Sequence, residues 1–191
     1  MKLHRVLALA LLSHGAAFPA FGEEAHVAHA TEFMNMQVKP WLSDPVVIDA
    51  ILAQNRNHAG LNQAGIEALD EAWRKEVHEG PSDMINGVLS TELSKFLMEK
   101  QEAAGGTITE IFVMDNRGLN VGQSEITSDY WQGDEAKFQK TFGTGTDVLF
   151  VDQAEKDAST QQIQSQVSMT ITDAGGTPIG AITVGIRVGA L

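Results

Sequence analysis

Up to about Gly105 the apolar residues recur three or four positions apart, and beyond it they alternate one in two, so the chain reads as helices first and strands afterwards. Val27, Ala30, Met34 and Trp41 define a helical face between Ala25 and Trp41, which Pro40 ends or kinks. Asp44-Pro45 supplies an N-cap and a first-turn proline for a second helix, striped by Val47, Ile48, Ile51 and Leu52 and stopped by Gly60. A third carries Ile66, Leu69, Trp73 and Val77 on one face, with Glu67, Asp70, Glu71, Arg74 and Lys75 around it. Gly80-Pro81 closes it. Ser82 or Asp83 caps a fourth helix, whose stripe of Ile85, Val88, Leu89, Leu93, Phe96 and Leu97 is the longest in the protein. Gly105-Gly106 ends it.

Thr107 to Asp115 then reads as a strand, and Asn116-Arg117-Gly118 turns the chain back into Leu119 to Gly122. Asp147 to Asp152 is a third strand. Gln161 to Thr172 and Thr177 to Val188 form a closing hairpin joined by Asp173-Ala174-Gly175-Gly176. On the first strand of that hairpin Ile163, Val167, Met169 and Ile171 share one face, and Gln162, Gln164, Gln166, Ser168 and Thr170 share the other. A polar face of this kind either meets water or lines an enclosed space, and alternation leaves both readings open. The sheet is interrupted once, by the aromatic and partly helical insert Ser128 to Phe138. Within it Tyr130, the single tyrosine, and Trp131 stand next to Gly133 and Asp134. Rings with polar tips beside an acid can enclose and orient a small ligand, and they can equally be core anchors, as can Phe138. Lys137 is within reach of Asp134 across a helical turn.

The succession of strand, Asp-x-x-Gly turn, strand, Tyr-Trp insert, strand and closing hairpin, with Asp173-x-x-Gly176 ahead of Pro178-Ile179-Gly180-Ala181, resembles the extracytoplasmic PAS-like sensor domains called Cache or PDC domains. The resemblance covers residues 105–191, and the helical segment before them more loosely. It implies an α+β fold in which N-terminal helices precede, and pack on, a five-stranded antiparallel PAS-like sheet. It also implies a pocket between the insert and the strands that follow. On that ground Tyr130, Trp131, Asp134, Phe150, Asp152, Gln166 and Ser168 are the candidate ligand-binding residues. The family's long N-terminal helix often mediates dimerisation, which implies a homodimer through the helices. Four shorter segments stand in its place here. The family pattern tied to amino-acid binding puts an arginine two residues before the tryptophan, where this chain has Asp129, and that argues against an amino-acid ligand. An amine would be held by Asp134 or Asp152 among aromatic faces. A carboxylate would need Lys137 or Lys140.

Composition narrows the function further. Lys2 and Arg5, the short apolar run Val6 to Leu12 and the small residues Ala20 and Gly22 have the form of a signal peptide cleaved after Gly22, which predicts a periplasmic protein organised as residues 1–22, 23–104 and 105–191. Removing residues 1–22 takes away two cations and no acid, lowering the net charge from −12 to about −14. Such a surface repels nucleic acid and anionic lipid. The absence of cysteine removes thiol catalysis and cysteine-zinc sites, and no metal-ligand spacing or cofactor motif is present. The reading is a free-standing sensor that binds a small molecule and signals by docking to a membrane-bound receptor or kinase. Two alternatives are a small enzyme on a cystatin-like cone fold with Asp134 or Asp152 as general base, and a ligand-free interaction protein working through its helices.

Overall fold

A computed structural model describes residues 20–145, 147–156 and 163–191. The expected leader lies almost wholly outside them, as do Gln161 and Gln162 at the start of the predicted hairpin. Helix α1 (Ala20–Phe33) continues through a π-helical turn (Met34–Val38) and a 3-10 turn (Lys39–Ser43), the latter entered through Pro40. Helices α2 (Pro45–Asn57), α3 (Gln63–Glu79), α4 (Asp83–Leu89) and α5 (Glu92–Ala103) follow. Asp44 caps α2 by accepting from Val46 N at 2.9 Å, and Asn62 caps α3 by accepting from Gly65 N at 2.9 Å.

The predicted fourth helix is two. The chain breaks at Ser90-Thr91, where Thr91 turns extended and its hydroxyl accepts from Ser94 N at 3.1 Å, capping a new helix. The Ser94 hydroxyl in turn donates to Val88 O and accepts from Gln123 N at 3.0 Å, which fixes α5 against the edge of the sheet. Apolar periodicity runs across the break although the two pieces bury different cores: Ile85 of α4 joins a cluster around Trp73, and Leu93 and Leu97 of α5 join the core under the sheet. Glu76 fastens α4 to α3 by accepting from the backbone N–H groups of Ile85, Met84 and Ser82 at 2.9 to 3.1 Å. These bonds, that from Ile85 foremost, hold its carboxyl at about 2, below the usual 4.5. The folded value is depressed, so the stabilisation is present above pH 4.5 and is lost as pH falls toward 2. Glu76→Gln is therefore expected to flatten the fall in stability across that window, measured by urea unfolding at pH 2.5, 4 and 6.

Strands β1 (Ile108–Met114), β2 (Asn120–Gln123), β3 (Leu149–Val151), β5 (Ile163–Thr172) and β6 (Pro178–Arg187) form an antiparallel sheet in the order β2-β1-β6-β5-β3, and the two-residue β4 (Glu155–Lys156) also pairs with β5. The third strand is shorter than predicted because Asp147 takes a positive φ of 53° and bonds Lys39 instead of entering the ladder. One face carries Ile111, Val113, Val167, Met169, Ile171, Ile182, Val184 and Ile186. They form a single core with Ala30 and Met34 of the first helical run, Val47 and Ile51 of α2, and Leu93 and Leu97 of α5. The helices thus cover one side of the sheet, and the insert, with its one-turn helix α6 (Ala136–Gln139), covers the other.

Candidate functional site

The insert divides into two halves with different surroundings. In the first, Tyr130 is buried and its ring stacks on Trp73 of α3, centroids 5.4 Å apart, in a cluster that includes Ile66, Ile85 and Leu119. Trp131, half-buried, packs against the same cluster and donates its indole N–H to Arg117 O at 2.9 Å. The segment is held by Asp70, whose Oδ1 accepts from the N–H groups of Tyr130 and Trp131 at 2.9 and 3.0 Å, while Oδ2 takes Arg74 Nε at 2.8 Å. Trp73 adds a bond from its indole N–H to Thr127 O. Burial first, and the charge of Asp115 second, push the Tyr130 phenol well above its ordinary value, so it stays neutral. The expectation that these two rings close as a flap over a cavity is corrected here: they are packed into an apolar cluster with α3 and α4, and anchor the insert.

Asp70 was absent from the expected set because an acid flanking an apolar helical stripe reads as a solvent-facing residue, and nothing local marks its partners sixty positions on. Asp70→Ala leaves two buried backbone donors without an acceptor and reduces Arg74 to its 3.1 Å pairing with Asp129, so a loss of about 2–4 kcal/mol is expected in urea unfolding, with Asp70→Asn intermediate because its amide oxygen still accepts.

The second half of the insert lies on the polar side of the sheet. Phe138 of α6 stacks on Phe142, centroids 5.1 Å apart, and packs over Phe112, Met114 and Ala181. Strand register sets Phe112, Thr183, Ser168 and Phe150 side by side across β1, β6, β5 and β3. The two hydroxyls at the middle of this row, Ser168 and Thr183, are fully buried and 2.9 Å apart. At its ends the ammonium groups of Lys137 and Lys140 sit over the rings of Phe112 and Phe150, at 5.3 and 4.4 Å from their centroids. Thr170, one row along, is buried with no partner for its hydroxyl among the described residues. On the other flank, Glu110 Oε1 accepts from the amides of Gln164 and Gln166, both at 2.9 Å, and Thr109 donates to Gln164.

Of the seven expected residues, Phe150, Asp152, Gln166 and Ser168 therefore come together on β5 and its neighbouring edge. Asp152 bonds Gln166 through the backbone, N to O at 2.8 Å, and its carboxylate accepts from Gln153 N. Asp134 stands apart and exposed, and Lys137 pairs with Glu135 at 2.9 Å instead. A general base in the manner of a cone-fold enzyme needs a carboxylate deep in an apolar cavity, and neither Asp134 nor the half-buried Asp152 has that position. The alternation that picked out Ser168 would also have found Thr183, had it been applied to β6, where Thr183 stands between Ile182 and Val184. Open grooves lie elsewhere: one of about 690 Å³ between α2 and α5 over Leu93 and Val121, and one of about 560 Å³ at the end of β5 beside the Lys39–Asp147 pair.

A helical layer on one face of a five-stranded antiparallel sheet, with an insert over the other, is the architecture of the PDC or Cache sensor domains. The sensor domain of the Vibrio cholerae histidine kinase DctB superposes on it with a TM-score of 0.50 at 12% identity, over 87% of this chain and 52% of that domain, so the chain spans about half of its length. The ligand-binding domain of the Campylobacter jejuni chemoreceptor Tlp3, in a complex with L-valine, aligns with 90% of this chain and 65% of that one at 17% identity and a TM-score of 0.40. The Escherichia coli DcuS sensor domain aligns with 64% of this chain and 86% of that one at 13% identity and 0.39. These likenesses are of fold. No protein-family model and no curated protein matches the sequence. No described helix is long and apolar enough to cross a membrane.

Proposed function

We propose that this chain is a periplasmic sensor module that binds a small molecule between α6 and the polar face of the sheet and passes the event to a membrane-bound receptor or kinase. One observation carries the reading. The Ser168–Thr183 pair lies at zero exposure at the centre of a sheet face, with the Thr170 hydroxyl buried beside it and unpartnered among the described residues, although side chains of this kind are satisfied most cheaply by water. A polar surface enclosed under a single helical turn is suited to a ligand that exchanges with solvent when that turn lifts. Phe150, Gln166 and Ser168, joined by Thr170, Thr183, Lys137 and Lys140, make up the proposed site. Tyr130 and Trp131 act on it from behind, by fixing the base of the insert.

The output would run through the helical layer. Gln54 of α2 and His58 at its C-terminal cap bond Asp115 in the β1–β2 turn, and the same turn receives the Trp131 indole, so a shift of the insert is transmitted to α2. A ligand biases docking only through its different affinities for the free and docked states. Self-association, if it accompanies signalling, would use α1 and the turn after it, where Val27 and Met36 are exposed. The test is a thermal-shift screen of the purified chain with a broad metabolite set. A ligand at a hundred times its Kd should add about 2.7 kcal/mol. Absence of any shift would favour the ligand-free interaction protein.

A further inference from the structure

Resting on the reading that this chain signals by docking, we infer the docking face and the chemistry of what sits on it: the N-terminal half of α2, with a groove on either side, takes a basic amphipathic helix of the membrane-bound partner. One groove, of about 690 Å³, runs between α2 and α5. Val46, Ala50 and Ala53 of α2 are only partly covered along it, and the buried Leu93 and Val121 lie beneath. The other, of about 560 Å³, lies between α2 and the end of β5 and includes Leu42, Ile48 and Met169. Pro45 and Asp49 border both, so this stretch of α2 is a ridge with a trough on each flank. Alanines three positions apart leave room beside the ridge that a longer side chain would fill. Apolar surface left open in this way is what an incoming helix covers with its own apolar stripe.

The charged residues around the two grooves set the sign of the occupant. Asp49, Glu92, Asp147 and Asp173 border them, against the single cation Lys39, which Asp147 takes at 3.2 Å. Asp49 and Glu92 are exposed and have no ion pair among the described residues. Arg56 and Lys95, which follow them on the same two helices, line neither groove. A helix carrying lysine or arginine beside its apolar stripe finds acceptors on both flanks of the ridge. A second copy of this chain does not, because a two-fold contact sets the same patch against itself, acids facing acids. The net charge of −12 adds to the attraction for a cationic partner and repels anionic lipid.

The face is also tied to the insert. Gln54 lines the first groove, and its amide donates to Asp115 Oδ2 at 3.1 Å and to the carbonyls of Leu119 and Asn120 at 3.3 and 3.1 Å. A helix seated there touches the residue that holds the β1–β2 turn, against which the Trp131 indole is bonded. Docking and ligand binding then bias one another by the same factor.

The experiment titrates the purified full chain with three labelled helical peptides of about 18 residues, leucine along one face and lysine, glutamate or glutamine on the other, read by fluorescence anisotropy and NMR amide shifts. The lysine peptide is expected to bind and to shift amides of α2 and the start of α5, and the other two to bind at least about tenfold more weakly. Asp49→Asn with Glu92→Gln should weaken the lysine peptide about fivefold, the loss of two surface pairs. Glu67→Gln with Glu71→Gln, the same change of charge on exposed positions of α3, should leave it nearly unchanged. Ala53→Trp, which fills the first groove and keeps every charge, should abolish binding, and Glu92→Lys, at an exposed position, should weaken it further than Glu92→Gln whether or not the tryptophan variant folds. Binding indifferent to these groove variants, or equal binding of the glutamine peptide, would overturn the inference. So would a dimer of the chain that Ala53→Trp dissociates, or pelleting with phosphatidylglycerol vesicles that Ala53→Trp prevents. Failure of the lysine peptide to bind a chain shown by circular dichroism to be folded would overturn it too, and leave the ligand screen to decide the sensor reading.

Discussion

Asp115→Ala is expected to destabilise the protein by about 3–5 kcal/mol, the range for stripping a buried charge network of its acceptor. The carboxylate has no exposed surface and accepts four hydrogen bonds: Oδ1 from the N–H groups of Arg117 and Leu119 at 2.8 and 3.0 Å, Oδ2 from Gln54 Nε2 at 3.1 Å and His58 Nδ1 at 2.9 Å. The first two shape the turn between β1 and β2, and the second two bind that turn to α2. Asn55 completes the junction, accepting from Asn116 N and donating to Ile179 O. Asp173 builds the same local turn in the β5–β6 hairpin, accepting from Gly175 N and Thr177 N at 2.9 Å, and among the described residues no helix side chain bonds its carboxylate. Asp173→Ala should therefore cost only about 1 kcal/mol. Urea unfolding of the two variants checks the contrast. Equal losses would mean that the α2 contacts contribute little.

Gly118→Ala should cost about 2–4 kcal/mol, and Gly176→Ala about 1. Both glycines have a φ of +82° and both close an Asp-x-x-Gly turn, so their backbone strain is alike. Their surroundings differ. A methyl group on Gly118 would meet the Cα and N of Gly133 at 2.6 Å, backbone against backbone, whereas one on Gly176 meets nothing within 4 Å. No rotamer change relieves the first contact, and the insert has to lift away from the turn, breaking the bonds from Gln132 N to Gly118 O at 2.7 Å and from the Trp131 indole to Arg117 O. Gly118→Ala is accordingly expected to increase tryptophan accessibility to acrylamide as well as to lower stability, and Gly176→Ala to do neither to a comparable degree.

Much of this architecture is legible in the residues themselves. The two Asp-x-x-Gly turns, the Asp44-Pro45 helix start and the alternation along β5 are local chemistry, set by backbone conformations that few residue types satisfy. The polar face of Gln164, Gln166, Ser168 and Thr170 could be read as well, although its enclosure could not, because that depends on where Phe138 comes to rest. The direction of Tyr130 and Trp131 was illegible for a related reason. The partner of Tyr130 is Trp73, on a stripe of α3 that periodicity identifies as buried without saying against what. Asp70 and the helix break at Thr91 are the plainest gaps. One is settled by two N–H groups sixty positions away, and the other by a strand edge that the Ser94 hydroxyl must reach.

The most direct measurement is a crystal structure of the chain with the tightest ligand found by screening. The ligand is predicted to lie between α6 and the Ser168–Thr183 pair, within hydrogen-bond reach of at least one of those hydroxyls, with the Trp73–Tyr130 stack unchanged. A ligand seated against Tyr130 and Trp131, or in the groove between α2 and α5, with the space under α6 unaltered, would contradict it.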